Sequence, residues 1–504
     1  MGEGIVEALA RIGQPYVVGI ILLGSLIGFI FGIIPGLGSI SALAIVLPFS
    51  LFLEPGVAMF FYAGIMGATA FGGSVPSILI RVPGTAINIA TTFDGYPMTQ
   101  KGEGSRALGI AAISSLLGAV FGIGILIAAL PLVRVIVMTM SPPEFLMLII
   151  WGLAACIVLS GGNLLRGILS ACLGLVFSLF GVMPATGGYR WGFGINYLTY
   201  TAGLPIIPVV IGLFAIGQMI KLSVTGKIIS DGQVTVIGGF WKSTVAGFKE
   251  IVRHKICFFR SSAIGTLVGI IPGIGGVAAT YFSYLAAVQS SKEPETFGQG
   301  NPEGVIAAEA ANDAKDGGSL LTTVAFGIPG SLTMALLLGA LILHGLTPGP
   351  MLIREHPDIV WALIFGLLIS NFLVSTLGLL ISNKIAAIAR VSTTYLVPIV
   401  VATSCIGVYM YHKNIIDVLL AILFGFLSFG LEKYGFPLVP LAIAFVLGRL
   451  GELFFHQSLQ MAWGSYSIFF TRPISLTLFF LIVLIFALPY LAPLLTKRRR
   501  TLKS

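Results

Sequence analysis

Two short stretches, GFIFGIIPGLG at residues 28–38 and GTLVGIIPGIG at residues 265–275, decide the fold class of this chain. Each has glycine at every fourth position, followed by a Pro-Gly pair inside an apolar run. Glycine at that spacing lets a second membrane helix approach closely. Pro-Gly interrupts a helix, because proline lacks the N–H donor and glycine tolerates positive φ. Helix packing and a functional break in the helix both remain open as explanations of this pattern.

The composition identifies the solvent in which the chain folds. Of its 504 residues, 57% are hydrophobic and only 9% are charged. Soluble domains carry about 25% charged residues, so a soluble enzyme, a nucleic-acid binder and a disordered protein are excluded. Apolar runs long enough to cross a bilayer recur, and the strand alternation of an outer-membrane barrel is absent. We predict an all-α polytopic membrane protein with about 12–14 membrane segments.

Further motifs recur in the same order along the chain. GGS occurs at residues 72–74 and 317–319, PGT at 83–85 corresponds to PGS at 329–331, and GLPIIP at 203–208 corresponds to GFPLVP at 435–440. The repetition predicts two halves with broken or re-entrant helices. We place repeat 1 at residues 15–222 and repeat 2 at 262–453, followed by a final transmembrane helix at 473–495.

The basic residues predict how the halves are oriented. Seven Lys and Arg residues lie between Lys221 and Arg260, and five lie between Lys497 and Lys503. Such clusters mark the cytoplasmic side. We therefore expect a cytoplasmic linker at 223–261 and a cytoplasmic tail at 496–504, with a periplasmic loop at 454–472 and a periplasmic N-terminal segment at 1–14. Each half then crosses the membrane an odd number of times, which makes the two repeats inverted in topology, as in many secondary transporters.

The second break of each half predicts a substrate site. A helix that starts near Thr85 would present free N–H groups and a partial positive charge, which suit a carboxylate. Broken helices at matching positions of two halves indicate a transporter's binding site, although plain structural kinks would give the same pattern. The predicted substrate-binding residues are Arg81, Pro83, Gly84, Thr85, Asn88, Pro329, Gly330, Ser331 and Thr333. Arg81 either pairs with an anionic substrate, pairs with a fixed carboxylate or snorkels.

Acidic residues near the second half's break predict a position for a coupling ion. Six of the nineteen acidic residues lie between Glu293 and Asp316, and Glu309 and Asp313 share one helix face. Polar oxygens there, together with carbonyls freed at the breaks, would hold Na⁺ or take a proton; a solvated loop helix is the alternative. The predicted coupling-ion residues are Gly36, Gly273, Asn312 and Asp313. No spacing of His, Cys or acidic residues predicts a catalytic site, a cofactor or a metal other than this possible Na⁺.

These residues also carry a family resemblance. The chain resembles the large membrane subunit of tripartite tricarboxylate transporters, through GIIPGLG at 32–38, Pro83-Gly84, DGYPM at 94–98 with Lys101-Gly102, GIIPGIG at 269–275, EAAN at 309–312 and GIPGS at 327–331. In that family a neutral polar residue often stands two positions before the first Pro-Gly pair, where this chain has Arg81.

The resemblance implies a function that agrees with the residues. It implies a multi-pass protein of the bacterial inner membrane that imports organic di- or tricarboxylates, driven by Na⁺ or H⁺ rather than by ATP. Its partners would be a small four-helix membrane subunit and a periplasmic substrate-binding protein. A passive organic-anion channel is the first alternative. An intramembrane enzyme is the second, although it would need a His, Asp or Cys cluster at membrane depth.

Overall fold

The computed structural model describes residues 2–159, 163–192, 194, 196–201, 203–225, 239–272, 275–388 and 393–501. Nearly all of these residues are helical, which confirms the predicted all-α class. A two-residue antiparallel pair, β1 (Gly181–Val182) and β2 (Tyr189–Arg190), is the sheet structure within the described residues.

The helices of the first part of the chain are α1 (Gly2–Ile12), α2 (Pro15–Ile33), α3 (Gly38–Ser50), α4 (Pro55–Ile80), α5 (Ile89–Gln100), α6 (Gly104–Met138), α7 (Pro142–Leu159), α8 (Leu164–Ser178), α9 (Asn196–Tyr200), α10 (Ile206–Ile211) and α11 (Gly217–Thr225). A 3₁₀ turn at Ala86–Asn88 leads directly into α5. A π-helical turn at Gly212–Ile216 joins α10 to α11.

The helices of the second part are α12 (Phe240–Arg253), α13 (Lys255–Ile270), α14 (Gly275–Ser290), α15 (Pro302–Phe326), α16 (Leu332–Leu343), α17 (Pro350–Glu355), α18 (Pro357–Ile388), α19 (Thr393–His412), α20 (Ile415–Lys433), α21 (Leu438–Met461), α22 (Ile468–Thr471) and α23 (Pro473–Thr501). A 3₁₀ turn at Pro294–Thr296 precedes α15.

The length and hydropathy of these helices confirm a multi-pass membrane protein. Within the described residues, eight helical segments are long and apolar enough to cross a bilayer: Pro15–Ile33, Pro55–Ile80, Gly104–Val133, Ile206–Val224, Pro357–Ile381, Tyr395–His412, Ile415–Lys433 and Leu438–Met461. Shorter apolar helices are Gly38–Ser50, Pro142–Val158, Leu164–Ser178, Leu332–Leu343 and Pro473–Ala487.

Glycine allows the central helices to touch backbone to backbone. In the first half α2 packs on α4, and in the second half α13 packs on α15. A Cβ atom on Gly24 or Gly32 would lie 2.6 Å from a carbonyl oxygen of α4, and one on Gly265 would lie 2.5 Å from a carbonyl oxygen of α15. The packing explanation therefore holds for the regular glycines. It does not hold for Gly36, because α2 ends at Ile33.

The two halves interlock through the same kind of contact. Helix α6 of the first half runs along α15, and α18 of the second half runs along α4. A Cβ atom on Gly118 would lie 2.5 Å from the carbonyl oxygen of Ala310, and one on Gly67 would lie 3.1 Å from that of Leu367. Helices α4 and α15 therefore lie at the centre of the molecule, each covered by both halves.

These contacts correct one detail of the predicted repeat. A Cβ atom on Gly72 would lie 3.3 Å from Gly32, and one on Gly318 would lie 3.1 Å from Gly269. Because Gly32 and Gly269 are matched in the first repeated stretch, Gly72 corresponds to Gly318. The pairing of the two GGS motifs letter by letter was therefore wrong by one residue, since backbone contact rather than residue identity sets the register.

The helix ends differ from some predicted boundaries. Helix α12 lies inside the predicted linker, and α13 already begins at Lys255. At the other end, α21 continues to Met461. Charged residues lie on one face of α12 and apolar residues on the other, so the mean hydropathy of this segment is low although the segment is helical. Residues 226–238 of the linker lie outside the described residues.

We expect that replacing Gly28 with valine will destabilise the protein by about 1–3 kcal/mol or prevent folding, because overpacking forces two backbones apart. A Cβ atom on Gly28 would lie 2.8 Å from the Cα of Ile65. The thermal midpoint of the purified protein in detergent measures the effect. Gly19→Val is the matched control, because Gly19 lies on the same helix and a Cβ atom added there would meet nothing within 4 Å. Equal loss of stability in both variants would contradict the packing argument.

Candidate functional site

A cavity of about 890 Å³ lies between the two halves. It is lined by the first residues of four helical segments: Gly38–Ser41 of α3, Thr85–Ile87 before α5, Gly275–Ala278 of α14 and Ser331–Thr333 at the start of α16. The first N–H groups of a helix have no partner within it, and its start carries a partial positive charge. Four such starts around one cavity create an environment suited to an anion.

The central helices contribute matched positions with different chemistry. In the register set by the glycine contacts, Met66, Thr69 and Ala70 of α4 correspond to Asn312, Lys315 and Asp316 of α15, and all six line the cavity. On the two central helices, the charged and amide groups that line the cavity therefore come from α15 only. The cavity is symmetric in its backbone and asymmetric in the ligands that it can hold.

Lys315 supplies a positive charge that the sequence analysis did not assign to the site. Its side chain is 9% exposed, and its Nζ donates to Asp316 Oδ1 at 2.7 Å. A Cβ atom on Gly276 would lie 2.7 Å from Lys315 Cδ, so this glycine leaves room for the lysine stem. The signal that could have identified Lys315 is its position three residues after Asn312, which places both on one helix face.

The break at Pro83-Gly84 supplies both lining and supporting residues. Pro83, Gly84 and Thr85 line the cavity as predicted. The Thr85 hydroxyl donates to Asn88 Oδ1 at 2.5 Å, and Asn88 Nδ2 donates to Ser74 Oγ at 2.8 Å. Asn88 is fully buried and lies behind the lining. It therefore holds the start of α5 against α4 instead of facing the cavity.

Arg81 lies outside the cavity lining. It follows the last residue of α4 in the left-handed conformation, with φ of 57°, and is exposed. Its guanidinium carbon is 5.8 Å from the centre of the Tyr96 ring. Gly327 follows α15 in the same conformation, with φ of 68°. Arg81 thus occupies a backbone position for which the other half uses glycine.

The break at Pro329-Gly330 resembles the break at Pro83-Gly84 in geometry. Ser331 and Thr333 line the cavity, whereas Pro329 and Gly330 are buried behind it. Ser331 Oγ accepts a hydrogen bond from the Met334 N–H at 3.3 Å and so caps α16. The Thr333 hydroxyl is 3.0 Å from that of Ser39, which joins the starts of α16 and α3.

The predicted coupling-ion residues fall into different environments. Gly36 lines the cavity with φ of 86°, and its carbonyl accepts from Gln218 Nε2 at 2.8 Å. Asn312 also lines the cavity, and Asp313 is buried beside it; each is 1% exposed. None of their side-chain nitrogen or oxygen atoms has a hydrogen-bond partner among the described residues. Unsatisfied buried polar atoms are rare and indicate a place for water or an ion. Gly273 lies outside the described residues.

Glu309 is a buried acid that the sequence analysis did not assign to the site. It is fully buried in α15. It accepts hydrogen bonds from Ser74 Oγ at 2.8 and 2.7 Å and from Ser115 Oγ at 3.0 Å, and also from the Thr91 hydroxyl. Three helices thus converge on one carboxylate next to the cavity.

The DGYPM motif anchors the start of α15. Asp94 Oδ1 accepts from the N–H groups of Gly300 and Asn301, each at 2.8 Å, and its Oδ2 accepts from the Tyr284 hydroxyl at 2.8 Å. Burial raises the pKa of the Asp94 carboxyl, while these three hydrogen bonds act to lower it. The motif therefore positions α15 instead of lining the cavity.

Comparison with known proteins gives consistent matches. The family model described as "Tripartite tricarboxylate transporter TctA family" matches residues 18–443. An Agrobacterium vitis protein, described as an uncharacterized 52.8 kDa protein in the TAR-I ttuC' 3' region, is 33% identical over 458 residues, which cover 90% of this chain and 89% of the relative. A second A. vitis protein, described as an uncharacterized protein in the TAR-II ttuC' 3' region, is 36% identical over 214 residues, 42% of this chain and 88% of the relative. No solved structure matches.

We expect Arg81→Gly to stabilise the protein by about 1 kcal/mol, because a left-handed conformation costs a residue other than glycine about that amount. The thermal midpoint measures this effect. Arg81→Ala is the control, since it removes the guanidinium but keeps the unfavourable backbone. If both variants lost substrate transport equally while remaining folded, the guanidinium would have a role in transport that its position outside the cavity does not indicate.

Proposed function

This chain belongs to the tripartite tricarboxylate transporter TctA family, and on that premise we propose that it is the large membrane subunit of a binding-protein-dependent secondary transporter. Its role is the import of organic carboxylates across the bacterial inner membrane, coupled to a gradient of Na⁺ or H⁺. It acts with a small four-helix membrane subunit and a periplasmic substrate-binding protein. Family membership supports transport and a tripartite system; the direction, the coupling and the partners belong to the proposal.

The observation that carries the proposal is the cavity at which four helix starts meet. A carboxylate placed there would receive backbone N–H groups from both halves, as helix starts commonly provide for anions. The hydroxyls of Thr85 and Ser331 and the ammonium of Lys315 lie in the same lining. Charged hydrogen bonds of this kind contribute about 1.5–3 kcal/mol each. The other predicted substrate residues that lie in the lining are Pro83, Gly84 and Thr333, which belong to the two breaks.

The interlocked packing of the two halves limits how the cavity could open. Helix α6 lies on α15 and α18 lies on α4, so each central helix is held by the opposite half. We propose inverted repeats at residues 15–222 and 262–453, with the basic linker and tail in the cytoplasm. Movement of one part of the bundle against the rest would open the cavity alternately to each side. A coupling Na⁺ is proposed to act near the unpartnered amide of Asn312 and the Gly36 carbonyl, whereas a coupling H⁺ would need a buried carboxyl of α15.

Reconstituted uptake tests the function. The full chain, the small subunit and the binding protein are placed in liposomes with radiolabelled citrate, succinate or malonate outside. We expect accumulation that requires both the binding protein and a Na⁺ or H⁺ gradient, and that stops when ionophores collapse the gradient. Uptake that merely equilibrates, and that ignores both requirements, would instead establish the passive-channel alternative.

We expect Lys315→Met to lower uptake at least about tenfold, because losing a charged hydrogen bond of about 1.5–3 kcal/mol corresponds to that change or more. The measurement is initial uptake rate at equal amounts of folded protein in the membrane. Lys292→Met is the control, since Lys292 is exposed and does not line the cavity. Wild-type uptake by Lys315→Met would exclude a direct role of this ammonium in binding.

A further inference from the structure

Glu309 has no cationic partner among its hydrogen-bond contacts. The groups that hold its carboxylate are three neutral hydroxyls: Ser74 from α4, Thr91 from α5 and Ser115 from α6. Three donated hydrogen bonds stabilise the ionised form of the Glu309 carboxyl, and complete burial favours its neutral form. Each hydroxyl can also turn and accept a hydrogen bond when the acid is protonated. The environment therefore tolerates both protonation states, as a proton-carrying group requires.

The other charged groups packed around α15 are accounted for elsewhere. On α15 itself, Lys315 donates to Asp316. From α5, Asp94 lies near the start of α15, where Tyr284 of α14 donates to it. The other polar groups that α13 and α6 contribute at the centre of the bundle are neutral side chains: Ser261, Ser262 and Thr266 of α13, and Ser114 of α6 beside Ser115. Arg106 of α6 and His254 lie at the helix ends and pair with other acids: Arg106 with Glu103 and Glu250, and His254 with Glu250 and Glu303.

A second buried carboxyl adds an independent observation. Asp313 lies four residues after Glu309, hence on the same face of α15. It is 1% exposed, and neither of its oxygens has a hydrogen-bond partner among the described residues. Two ionised carboxylates on one buried helix face disfavour each other. The ammonium of Lys315, two residues after Asp313, donates to Asp316. A proton on one of the two carboxyls would remove the repulsion between them.

A chain of hydrogen bonds connects Glu309 to the cavity. Thr85, in the lining, donates to Asn88; Asn88 donates to Ser74 at 2.8 Å; and Ser74 donates to Glu309. A hydroxyl has a single proton to donate. The Thr85 hydroxyl therefore cannot donate to Asn88 and to a substrate carboxylate at the same time. A substrate that accepts a hydrogen bond from the Thr85 hydroxyl therefore breaks the first link of the chain that ends at Glu309.

We infer that Glu309 is the proton-carrying group of the transport cycle and that the Thr85–Asn88–Ser74 chain links its protonation to occupancy of the substrate cavity. The inference rests on the proposed function and selects H⁺ between the two cations. In the cycle one O–H bond forms when the Glu309 carboxylate takes a proton from water on the outer side. The same bond breaks when the proton passes to water on the inner side after the substrate has left.

The geometry favours a proton over a sodium ion. Sodium requires an open space surrounded by oxygen ligands. Glu309 does not line the cavity, and both of its oxygens already accept hydroxyl hydrogen bonds. A proton needs no such space, because it binds to a carboxylate oxygen directly. Sodium dependence is therefore the outcome that the experiments must be able to detect.

Infrared spectroscopy tests the proton site without any substrate. The purified full-length protein is titrated with acid and base, in sodium chloride and in choline chloride, while the carbonyl band of protonated carboxylic acids is recorded. We expect one component of this band to respond to pH, to be indifferent to sodium, to be lost in Glu309→Gln and to be shifted in Glu309→Asp; the buried Asp94 and Asp313 contribute their own components. Exposed Glu355→Gln is the control. A band that is identical in Glu309→Gln and in the wild type, or a Glu309 component that sodium removes, would overturn the inference.

Transport by the reconstituted complex tests the coupling, with labelled citrate and succinate as probes. We expect Glu309→Gln to lose accumulation driven by a pH gradient while it retains exchange of substrate between the two sides. Accumulation driven by a pH gradient in Glu309→Gln, or wild-type accumulation that depends on sodium alone, would refute the inference and leave the proposed function intact. Failure of the wild-type complex to accumulate under any gradient would refute the proposed function.

A second variant tests the chain of hydrogen bonds without disturbing the buried acid. Thr85→Val removes the hydroxyl at the cavity end and leaves Ser74, Thr91 and Ser115 in place around Glu309. We expect the pH at which the carboxylic-acid band titrates to shift, because Asn88 loses the hydrogen bond that orients it. An unchanged titration would refute the link between the cavity and Glu309.

Discussion

Backbone contact between glycine-lined helices is the constraint on which the rest of this structure depends. At Gly32 and Gly269 the spaces where side chains would stand are occupied by the backbones of α4 and α15. This close approach fixes the register of both central helices, and with it the depth at which each one breaks. The breaks after Ile80 and Phe326 consequently face each other, and the helices that restart beyond them begin at one common cavity.

The same arrangement explains why polar groups are concentrated on one helix. Helix α4 is apolar or hydroxyl-bearing where α15 carries Glu309, Asn312, Asp313, Lys315 and Asp316. In a bilayer such groups are costly unless they are paired or face a cavity. Some are paired, as Lys315 is with Asp316, and some are hydrogen-bonded, as Glu309 is. The unpartnered groups, Asn312 and Asp313, lie on or beside the cavity. A nearly symmetric scaffold thus carries an asymmetric set of polar groups.

Sequence patterns predicted much of this, with informative exceptions. The all-α class and the family are confirmed, and the breaks occur at the two Pro-Gly pairs. Thr85 and Ser331 lie in the cavity, although their role in binding stays a prediction. The position of Arg81 could not be predicted, because a left-handed residue after a helix turns its side chain away in a direction that spacing does not show. Lys315 was overlooked, because a neighbouring acid in the sequence resembles a simple counter-charge.

The sequence by itself determined that the chain folds in a membrane, that it is helical, that it repeats and where its helices break. All of these follow from local composition and from the chemistry of proline and glycine. The tertiary structure decided which residues share a space. Asn88, Ser74 and Glu309 are distant along the chain, and their hydrogen-bonded chain exists because α4, α5 and α15 pack together. Spacing along a helix predicts a face, but only packing between helices determines what that face meets, because the contact depends on backbone distances that a sequence does not contain.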